Sequence, residues 1–269
     1  MKMTKTNMLS RVLRLKKRIF SSWRKAASIL TSPRTDWLLI DSAEFHSIHE
    51  QIHLKKLFRL LDVDCVFDVG ANEGQYAEML RKKVGFRGMI ISFEPNPDAA
   101  CILAEKAKRD DSWYVEQIAL SDISGDLQFN IMIGSQFSSL SSPKLDETSL
   151  FNEKNNVEKI CHVTTETLAS VYERIRKKLG FRRPFLKLDS QGYDTKIFLS
   201  GGGVSKRFYG LQSELSFKRI YQDSPFYYDA IHLYESAGFH LSALVPNNRG
   251  HFPDLIEMDC IMYNPDMVD

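Results

Sequence analysis

Short apolar runs alternate with helix-like segments in the first half of the chain. Residues 63–69, 89–93 and 113–118 are mostly apolar along their length, which is typical of strands covered on both faces. Residues 75–83 and 97–108, which separate these runs, have the composition of helices. This order of strand, helix, strand, helix and strand predicts a parallel sheet with right-handed crossovers.

The second half continues this pattern after a less regular middle. Residues 127–133 alternate like an additional strand, and the polar stretch 134–156 is predicted to be a loop or flap. The other predicted elements are helices at 165–179, 193–199 and 227–237 and strands at 185–189, 211–215, 241–245 and 257–263. The pattern is that of an α/β protein with about seven strands in its main sheet.

Residues 42–62 precede the first strand and have the period of a helix that packs on a domain. The apolar side chains assigned to its packed face are Phe45, Ile48, Ile52, Leu57, Phe58 and Leu61. We therefore predict one domain over residues 42–269, preceded by a basic helical extension over residues 1–41.

The extension holds much of the positive charge of the chain. Residues 1–35 contain ten of the 36 lysines and arginines and no acidic residue, whereas the remainder holds 26 basic and 34 acidic residues. A nucleic-acid binder is not expected to place its charge in one arm beside an acidic domain, so we predict no nucleic-acid partner.

Apolar residues recur among the basic ones of this arm at roughly helical spacing. One hypothesis is that residues 1–35 contact an anionic membrane surface; a solvated extension and a helix docked on the domain are the alternatives. No apolar run approaches the ~18 residues of a membrane span, and residues 1–30 lack a compact hydrophobic segment with a cleavage site. We expect a cytoplasmic protein, either free or peripheral at the inner membrane face.

Glycines follow the first predicted strand. Gly70 and Gly74 would let a ligand approach the backbone at the carboxyl end of that strand, where ligands of open α/β sheets bind. A dinucleotide fold has the spacing G-x-G-x-x-G, but here Asn72 stands at the middle position, which argues against NAD. The acidic Asp68 and Glu73 disfavour a phosphate and suit a cationic sulfonium and an ammonium group.

Glu94 ends the second predicted strand, twenty residues beyond Gly74. A carboxylate at this place can accept hydrogen bonds from both ribose hydroxyls of an adenosine. Together with the glycine loop, it favours a ligand that contains adenosine.

Five segments of the chain together resemble the FkbM family of methyltransferases. They are FDVGANEGQY at 67–76, SFEPNP at 92–97, IALSD at 118–122, SSL at 138–140 and FLKLDSQGYD at 185–194. The resemblance covers residues 60–265, and the ordered set is more specific than any single motif. It implies a Rossmann-like, seven-stranded methyltransferase sheet with helices on both faces and S-adenosylmethionine above its carboxyl edge.

The resemblance also implies which residues bind this cofactor. The residues predicted to surround its methionine end are Asp68, Gly70, Asn72 and Gly74. Glu94 corresponds to the residue that binds the ribose, and Asp122, after the third strand, to the residue beside the adenine.

The predicted catalytic residues are Asp189, Glu214 and Lys187. Asp189 ends the fourth strand of the main sheet, and Lys187 shares its face because alternate residues of a strand point the same way. A carboxylate here can orient or deprotonate an acceptor hydroxyl; an aspartate that only caps a helix is the alternative. Glu214, near the end of the fifth strand, is the second candidate, with Asp194 and Asp259 as more distant ones.

Metal ions are not expected. Converging carboxylates are ligands that Mg²⁺ takes, but their separation across different strands cannot be measured from sequence, so Mg²⁺ is an alternative only. His46, His49 and His53 share a helix face, yet this helix precedes the predicted catalytic edge. The four cysteines have no CxxC spacing and are interpreted as reduced thiols.

The sequence predicts methyl transfer to a hydroxyl oxygen of a sugar, glycoconjugate or secondary metabolite, and the preference for oxygen rests mostly on the resemblance. The loop 246–251, with Ser138 and Ser139, is expected to bind this polar small-molecule or glycan acceptor, although ordinary surface-loop chemistry explains these residues nearly as well. The alternatives are an N- or protein methyltransferase, a non-catalytic module that binds an adenosyl ligand and docks through the basic arm, and a nicotinamide oxidoreductase.

Overall fold

A central seven-stranded sheet organises the fold. The computed structural model of the protein describes residues 45–146, 151, 153–222, 224–246, 251 and 253–268. The chain divides into two units, Met1–Phe45 and His46–Asp269, and every described strand belongs to the second. The predicted extension 1–41, with its basic arm, lies outside the described residues.

The described elements follow one another in the predicted α/β order. The strands are β1 (Cys65–Val69), β2 (Met89–Phe93), β3 (Trp113–Glu116), β4 (Ala119–Ser121), β5 (Gly125–Met132), β6 (Val157–Thr167), β7 (Pro184–Leu188), β8 (Gly210–Ser216), β9 (His240–Pro246) and β10 (Glu257–Tyr263). The α-helices are α1 (Phe45–Leu60), α2 (Gln75–Met79), α3 (Pro97–Ala107), α4 (Leu168–Leu179), α5 (Asp194–Ser200) and α6 (Tyr227–Ser236). No helix in this part of the chain has the length and apolar character that crossing a membrane requires.

The seven strands of the main sheet have the order β3-β2-β1-β7-β8-β10-β9. The first five of these pair in parallel, whereas β10 is antiparallel to both of its neighbours. The predicted Rossmann-like α/β fold with seven strands is confirmed. Strands β1 and β7 lie side by side with Asp68 opposite Lys187, so the segments that follow these two strands leave the sheet at the same edge.

A second sheet, ordered β4-β6-β5, corrects the sequence prediction in the middle of the chain. The sequence analysis predicted only one strand in this part of the chain, at 127–133. It also extended the strand that begins at 113 as far as residue 118, and it began a helix at residue 165. Residues 165–167 instead end β6, and α4 begins at Leu168 because the Thr167 side chain accepts a hydrogen bond from the Ser170 amide (3.2 Å) and caps the helix. Most of β6 is exposed and polar, so it lacks the apolar pattern that marks the strands of the main sheet.

The core has two halves because helices cover both faces of the main sheet. Successive residues of a strand point to opposite faces: Phe67 packs against Tyr172 and Phe208 on the side of α4, whereas Val66 belongs to the cluster on the side of α1 with Phe58. The sheet is therefore buried on both sides, as its apolar strands predicted.

The packed face of α1 differs from the prediction at one position. Leu57, Phe58 and Leu61 are buried as predicted, but Ile52 is 44% exposed and Leu54 is buried instead. The buried residues follow one another at spacings of three, one and three. These spacings keep Leu54, Leu57, Phe58 and Leu61 on one side of a helix of 3.6 residues per turn.

Candidate active site

The loop after β1 approaches the end of β7 closely. Gly70 has φ +74, and a Cβ atom at this residue would lie 1.8 Å from the backbone oxygen of Asp189. Asn72 also has a positive φ, of 46, which non-glycine residues rarely adopt. At Gly74 a Cβ atom would lie 2.8 Å from the side chains of Leu103 and Trp113. The glycines predicted from the sequence are thus required by both backbone angle and space.

Glu94 lies immediately after β2 and holds this loop in place. Its Oε2 atom accepts a hydrogen bond from the Asn72 amide (2.7 Å), and its Oε1 atom accepts one from the Asn96 amide (2.8 Å). The side chain is almost fully buried. Burial raises the pKa of Glu94 to about 7, and the two amide hydrogen bonds oppose this rise. Near neutral pH this carboxyl therefore changes charge.

Lys187 is a buried cation between two carboxylates. Its Nζ atom lies 3.1 Å from Asp189 Oδ2 and 3.6 Å from Asp68 Oδ1, and it stands 5.3 Å from the centre of the Tyr76 ring. Burial by itself lowers the pKa of Lys187, but the charges of Asp189 and Asp68 outweigh burial and raise it. Lys187 is therefore protonated. Burial raises the pKa of Asp68, and the charge of Lys187 opposes this rise.

Asp68 itself is fully buried at the end of β1. Its Oδ2 atom accepts a hydrogen bond from the Ser92 hydroxyl (3.0 Å), which in turn accepts one from the Trp113 indole nitrogen (3.0 Å). Its Oδ1 atom has no hydrogen-bond partner among the described residues. Apart from the 3.6 Å ion pair with Lys187, this oxygen can therefore still accept a hydrogen bond next to the glycine loop.

Gln191 connects the two predicted catalytic carboxylates. Its Nε2 atom donates to Asp189 Oδ1 (2.8 Å) and to Glu214 Oε2 (3.2 Å). Its Oε1 atom lies 2.7 Å from the Tyr221 hydroxyl, which donates to it and thereby turns the amide nitrogen towards the carboxylates. The sequence prediction missed Gln191 and Tyr221, because neither is a titratable group of the kind sought at strand ends.

The flap residue Ser139 also contacts this turn. Its hydroxyl donates to the backbone oxygen of Gln191 (2.7 Å) and lies 3.3 Å from that of Ser190. Ser138 instead accepts a hydrogen bond from the Met132 amide (3.2 Å) within the flap. Of the two serines predicted to bind the acceptor, Ser139 thus contacts the turn after β7. Residues 247–250 of the other predicted loop lie outside the described residues.

More carboxylates lie on β8 and β10, next to Glu214. Asp259 is opposite Glu214 in the sheet, and its Oδ2 atom accepts a hydrogen bond from Gln212 (2.7 Å). Gln212 also donates to Glu50 of α1 (2.8 Å). Burial, followed by the charges of Glu50 and Asp189, raises the pKa of Asp259 to about 8. Glu257 lies two residues before Asp259, on the same face of the strand. The sequence prediction did not use this alternation of acidic residues.

The remaining predicted residues lie at the margin of the site or outside it. Asp122 is exposed, and its Oδ1 atom accepts a hydrogen bond from the Tyr193 hydroxyl (3.0 Å). Asp194 is buried and accepts hydrogen bonds from the Ser190 amide (2.7 Å) and the Ser213 hydroxyl (2.9 Å), so its contacts join the turn after β7 to β8. His53 is hydrogen-bonded to Ser242 (2.8 Å). Across the described residues, no group of histidine, cysteine and acidic side chains has the arrangement of a metal site.

The chemistry of the side chains at this site suits S-adenosylmethionine. Two buried acceptors, Asp68 Oδ1 and Asn72 Oδ1, have no hydrogen-bond partner among the described residues, and both belong to the strand end and loop that would receive the methionine end. The absence of a side chain at Gly70 lets the loop lie against Asp189. Buried carboxylates with unused acceptors suit a ligand that carries an ammonium and a sulfonium group.

A known protein family matches more than half of the chain. Residues 68–241 match the family described as "Methyltransferase FkbM domain". No curated protein matches the chain significantly. Among solved structures, methyltransferase FkbM from Methylobacillus flagellatus KT is 12% identical, with 75% of this chain and 44% of that chain covered and a TM-score of 0.46.

Two further solved structures are similar to a comparable degree. Fibrillarin from Aeropyrum pernix, in complex with S-adenosyl-L-methionine, is 12% identical, with 74% of this chain and 66% of that chain covered and a TM-score of 0.42. A SAM-dependent methyltransferase from Aquifex aeolicus is 12% identical, with 83% and 94% covered and a TM-score of 0.42. The chain spans less than two thirds of the length of the fibrillarin and FkbM structures.

The family match begins at Asp68 and includes the glycine loop, Glu94, Asp189 and Glu214. Because it covers more than half of the 269 residues, the protein belongs to the FkbM methyltransferase family, whose cofactor is S-adenosylmethionine.

Proposed function

We propose that the protein transfers the methyl group of S-adenosylmethionine to a hydroxyl oxygen of a sugar, glycoconjugate or secondary metabolite. The observation that carries this proposal is the position of Asp189, whose backbone abuts the glycine loop while its carboxylate is 39% exposed. The same carboxylate contacts Lys187 and Gln191, which hold its orientation.

The cofactor-binding residues keep the roles predicted for them. The methionine end would be held by Asp68, Asn72 and the two glycines of the loop. Asp68 Oδ1 and Asn72 Oδ1, which have no hydrogen-bond partner among the described residues, would accept hydrogen bonds from it. Glu94 would bind the ribose hydroxyls, and Asp122 would lie beside the adenine, held there by Tyr193. S-adenosylmethionine, when bound, supplies a methyl group on a sulfonium sulfur that leaves as a neutral thioether.

Asp189 would act as the base. The acceptor oxygen gains a bond to the methyl carbon as the bond from this carbon to sulfur breaks, and the hydroxyl proton passes to the Asp189 carboxylate. An alcohol needs such a base because it is a poor nucleophile until its proton is leaving. Lys187 contacts Asp189, and Glu214, joined to Asp189 through Gln191, would position the acceptor.

Cofactor selection is the first test. Calorimetric titration of the full chain with S-adenosylmethionine and, separately, with NAD should give binding of S-adenosylmethionine only. Glu94→Ala should weaken this binding about tenfold or more, because it removes an acceptor of charge-assisted hydrogen bonds. Binding of NAD, or of neither ligand, would overturn the proposed function.

Catalysis is the second test, and it separates the enzyme from a non-catalytic binding module. Release of S-adenosylhomocysteine is measured with a panel of hydroxyl-bearing sugars and metabolites. Asp189→Asn should keep cofactor affinity but lower turnover by about 10²-fold or more. The matched control is Asp126→Asn, which removes a carboxylate that is 68% exposed on β5. If Asp189→Asn and Asp126→Asn had equal activity, Asp189 would not be the base.

A further inference from the structure

Three carboxylates extend the site beyond Asp189 on one face of the main sheet. Glu214 on β8 is opposite Asp259 on β10, and Ser216 is opposite Glu257. Residues opposite each other in an antiparallel pair, and alternate residues of each strand, share a face. Glu214, Glu257 and Asp259 therefore form one carboxylate cluster, and Gln191 joins it to Asp189 through the amide that donates to Glu214.

Two members of the cluster, Glu257 and Asp259, form no close ion pair with a described residue. Within the described residues, no lysine, arginine or histidine lies within 4 Å of their carboxylates. Lys187 forms its ion pairs with Asp68 and Asp189, and its charge lowers the pKa of Asp259 only in part against burial. An excess of buried carboxylates is costly unless they are protonated or a cation binds.

Glu257 shows directly that a partner is missing. It is only 4% exposed, yet its Oε1 atom has no hydrogen-bond partner among the described residues, whereas the neighbouring Asp259 accepts one from Gln212. Burial, followed by the charges of Asp189 and Asp259, raises the pKa of Glu257. Without a ligand this carboxyl retains its proton; beside a cation it would ionise.

We propose that the Glu214, Glu257 and Asp259 cluster binds an ammonium group of the methyl acceptor, so that the substrate is an amino-bearing hydroxyl compound. The inference rests on the proposed function, because it places this ammonium group beside the base that serves the hydroxyl. An ammonium group donates three hydrogen bonds and suits several carboxylate oxygens. It remains protonated in the cluster and is therefore not the nucleophile; the neighbouring hydroxyl faces Asp189.

An ammonium group fits the cluster better than a divalent cation does. Magnesium requires near-ideal octahedral geometry with short bonds to oxygen. Among the described residues, no group of histidine, cysteine and acidic side chains has the arrangement of a metal site. Hydrogen bonds from an ammonium group tolerate a wider range of acceptor positions, and binding would supply the partner that Glu257 Oε1 lacks.

Two matched pairs of small probes test this proposal. Ethanolamine and ethylene glycol differ only by an ammonium group in place of a hydroxyl, as do D-glucosamine and D-glucose. Their dissociation constants are measured by NMR titration of the full chain saturated with S-adenosylhomocysteine. The ammonium member of at least one pair should bind about tenfold more tightly than its neutral counterpart, the scale expected for a desolvated charge pair.

Variants identify the cluster as the source of this preference. Glu257→Gln should abolish the difference within each pair and leave S-adenosylhomocysteine binding unchanged, whereas Glu158→Gln, on the exposed part of β6, should keep it. If Glu257→Gln does not fold, as judged by its urea unfolding curve, Glu214→Gln replaces it with the same expectation.

Each adverse outcome is distinct. Equal or undetectable binding of both members of each pair, with S-adenosylhomocysteine bound, would overturn the inference alone. If Mg²⁺ binds and Glu257→Gln abolishes this binding, the cluster is a metal site and the proposal is wrong. A product methylated on nitrogen would also contradict the proposal. Failure of S-adenosylhomocysteine and S-adenosylmethionine to bind would instead reject the proposed function.

Discussion

The backbone oxygen of Asp189 occupies the space that a side chain at Gly70 would need, 1.8 Å from the expected Cβ position. This contact joins the turn after β1 to the turn after β7, two segments more than one hundred residues apart in the chain. It also brings the glycine loop after β1 against Asp189, the proposed base.

Substitution at Gly70 should damage the site more than an equivalent substitution elsewhere. Gly180, at the end of α4, has φ +73, close to the φ of +74 at Gly70, but a Cβ atom there meets nothing within 4 Å. We expect Gly180→Ala to lower the free energy of unfolding by about 1–2 kcal/mol, the cost of a left-handed conformation. Gly70→Ala adds a clash with backbone and should cost more.

The measurement for Gly70→Ala is urea unfolding combined with calorimetric titration of S-adenosylmethionine. Gly70→Ala should also weaken cofactor binding about tenfold or more, whereas Gly180→Ala should leave it unchanged. Equal stability and equal cofactor affinity of the two variants would show that the loop can move away from Asp189 without cost.

Cofactor affinity should depend on pH through Glu94. The pKa of this buried carboxyl is about 7, so Glu94 is mostly ionised at pH 8 and mostly protonated at pH 6. Only the ionised form can accept hydrogen bonds from both ribose hydroxyls at full strength. The dissociation constant of S-adenosylmethionine should therefore rise as pH falls, by about tenfold between pH 8 and pH 6.

Glu94→Gln isolates this contribution, because the amide keeps the size of the side chain and does not titrate. Its cofactor affinity should be weaker at pH 8 and nearly constant down to pH 6, whereas Glu105→Gln, an exposed variant on α3, should follow the wild type. A wild-type affinity that did not change over this range would contradict the assignment of Glu94 to the ribose.

Lys187 should be required for stability because it lies between two carboxylates. Lys187→Met leaves Asp68 buried without a cation, and we expect it to lower the free energy of unfolding by about 3–5 kcal/mol. The double variant with Asp68→Asn removes the unpaired charge and should recover part of this loss. Urea unfolding of both single variants and the double variant measures the coupling; additive effects would show that the 3.6 Å pair contributes nothing.

The basic arm should bind anionic membranes if the hypothesis from its sequence is right. Sedimentation with vesicles that contain phosphatidylserine should retain the full chain, and deletion of residues 1–35 should abolish this, because basic residues near such a surface contribute about 1 kcal/mol each. Neutral phosphatidylcholine vesicles and high salt are the controls. Unchanged sedimentation of the deletion variant would reject membrane contact through the arm.

Local patterns predicted the elements that carry the cofactor site. The apolar run before Gly70, the glycines themselves and Glu94 at the end of β2 lie within about thirty residues, and each follows from backbone angles or from the position of a strand end. The cap of α3 is equally local, because Asn96 Oδ1 accepts a hydrogen bond from the Asp98 amide (3.1 Å).

Other elements could not be predicted in this way. Strand β6 is mostly exposed and polar, so its sequence does not alternate clearly, and β4 has only three residues. They form because β4 pairs with β6, and β6 pairs on its other side with β5. Their stability comes from a partner strand that is distant in sequence, which a local period does not report.

The sequence by itself determined the α/β class, the family and the strand ends and glycine turns of the candidate site, because these depend on neighbouring residues. Only the tertiary structure decided that Gln191 joins Asp189 to Glu214, that Lys187 pairs with Asp68, and that Glu257 Oε1 has no hydrogen-bond partner among the described residues. These contacts depend on which strands lie side by side and in which register. Packing of the whole sheet sets that register, and burial together with neighbouring charges then shifts the pKa of the buried groups.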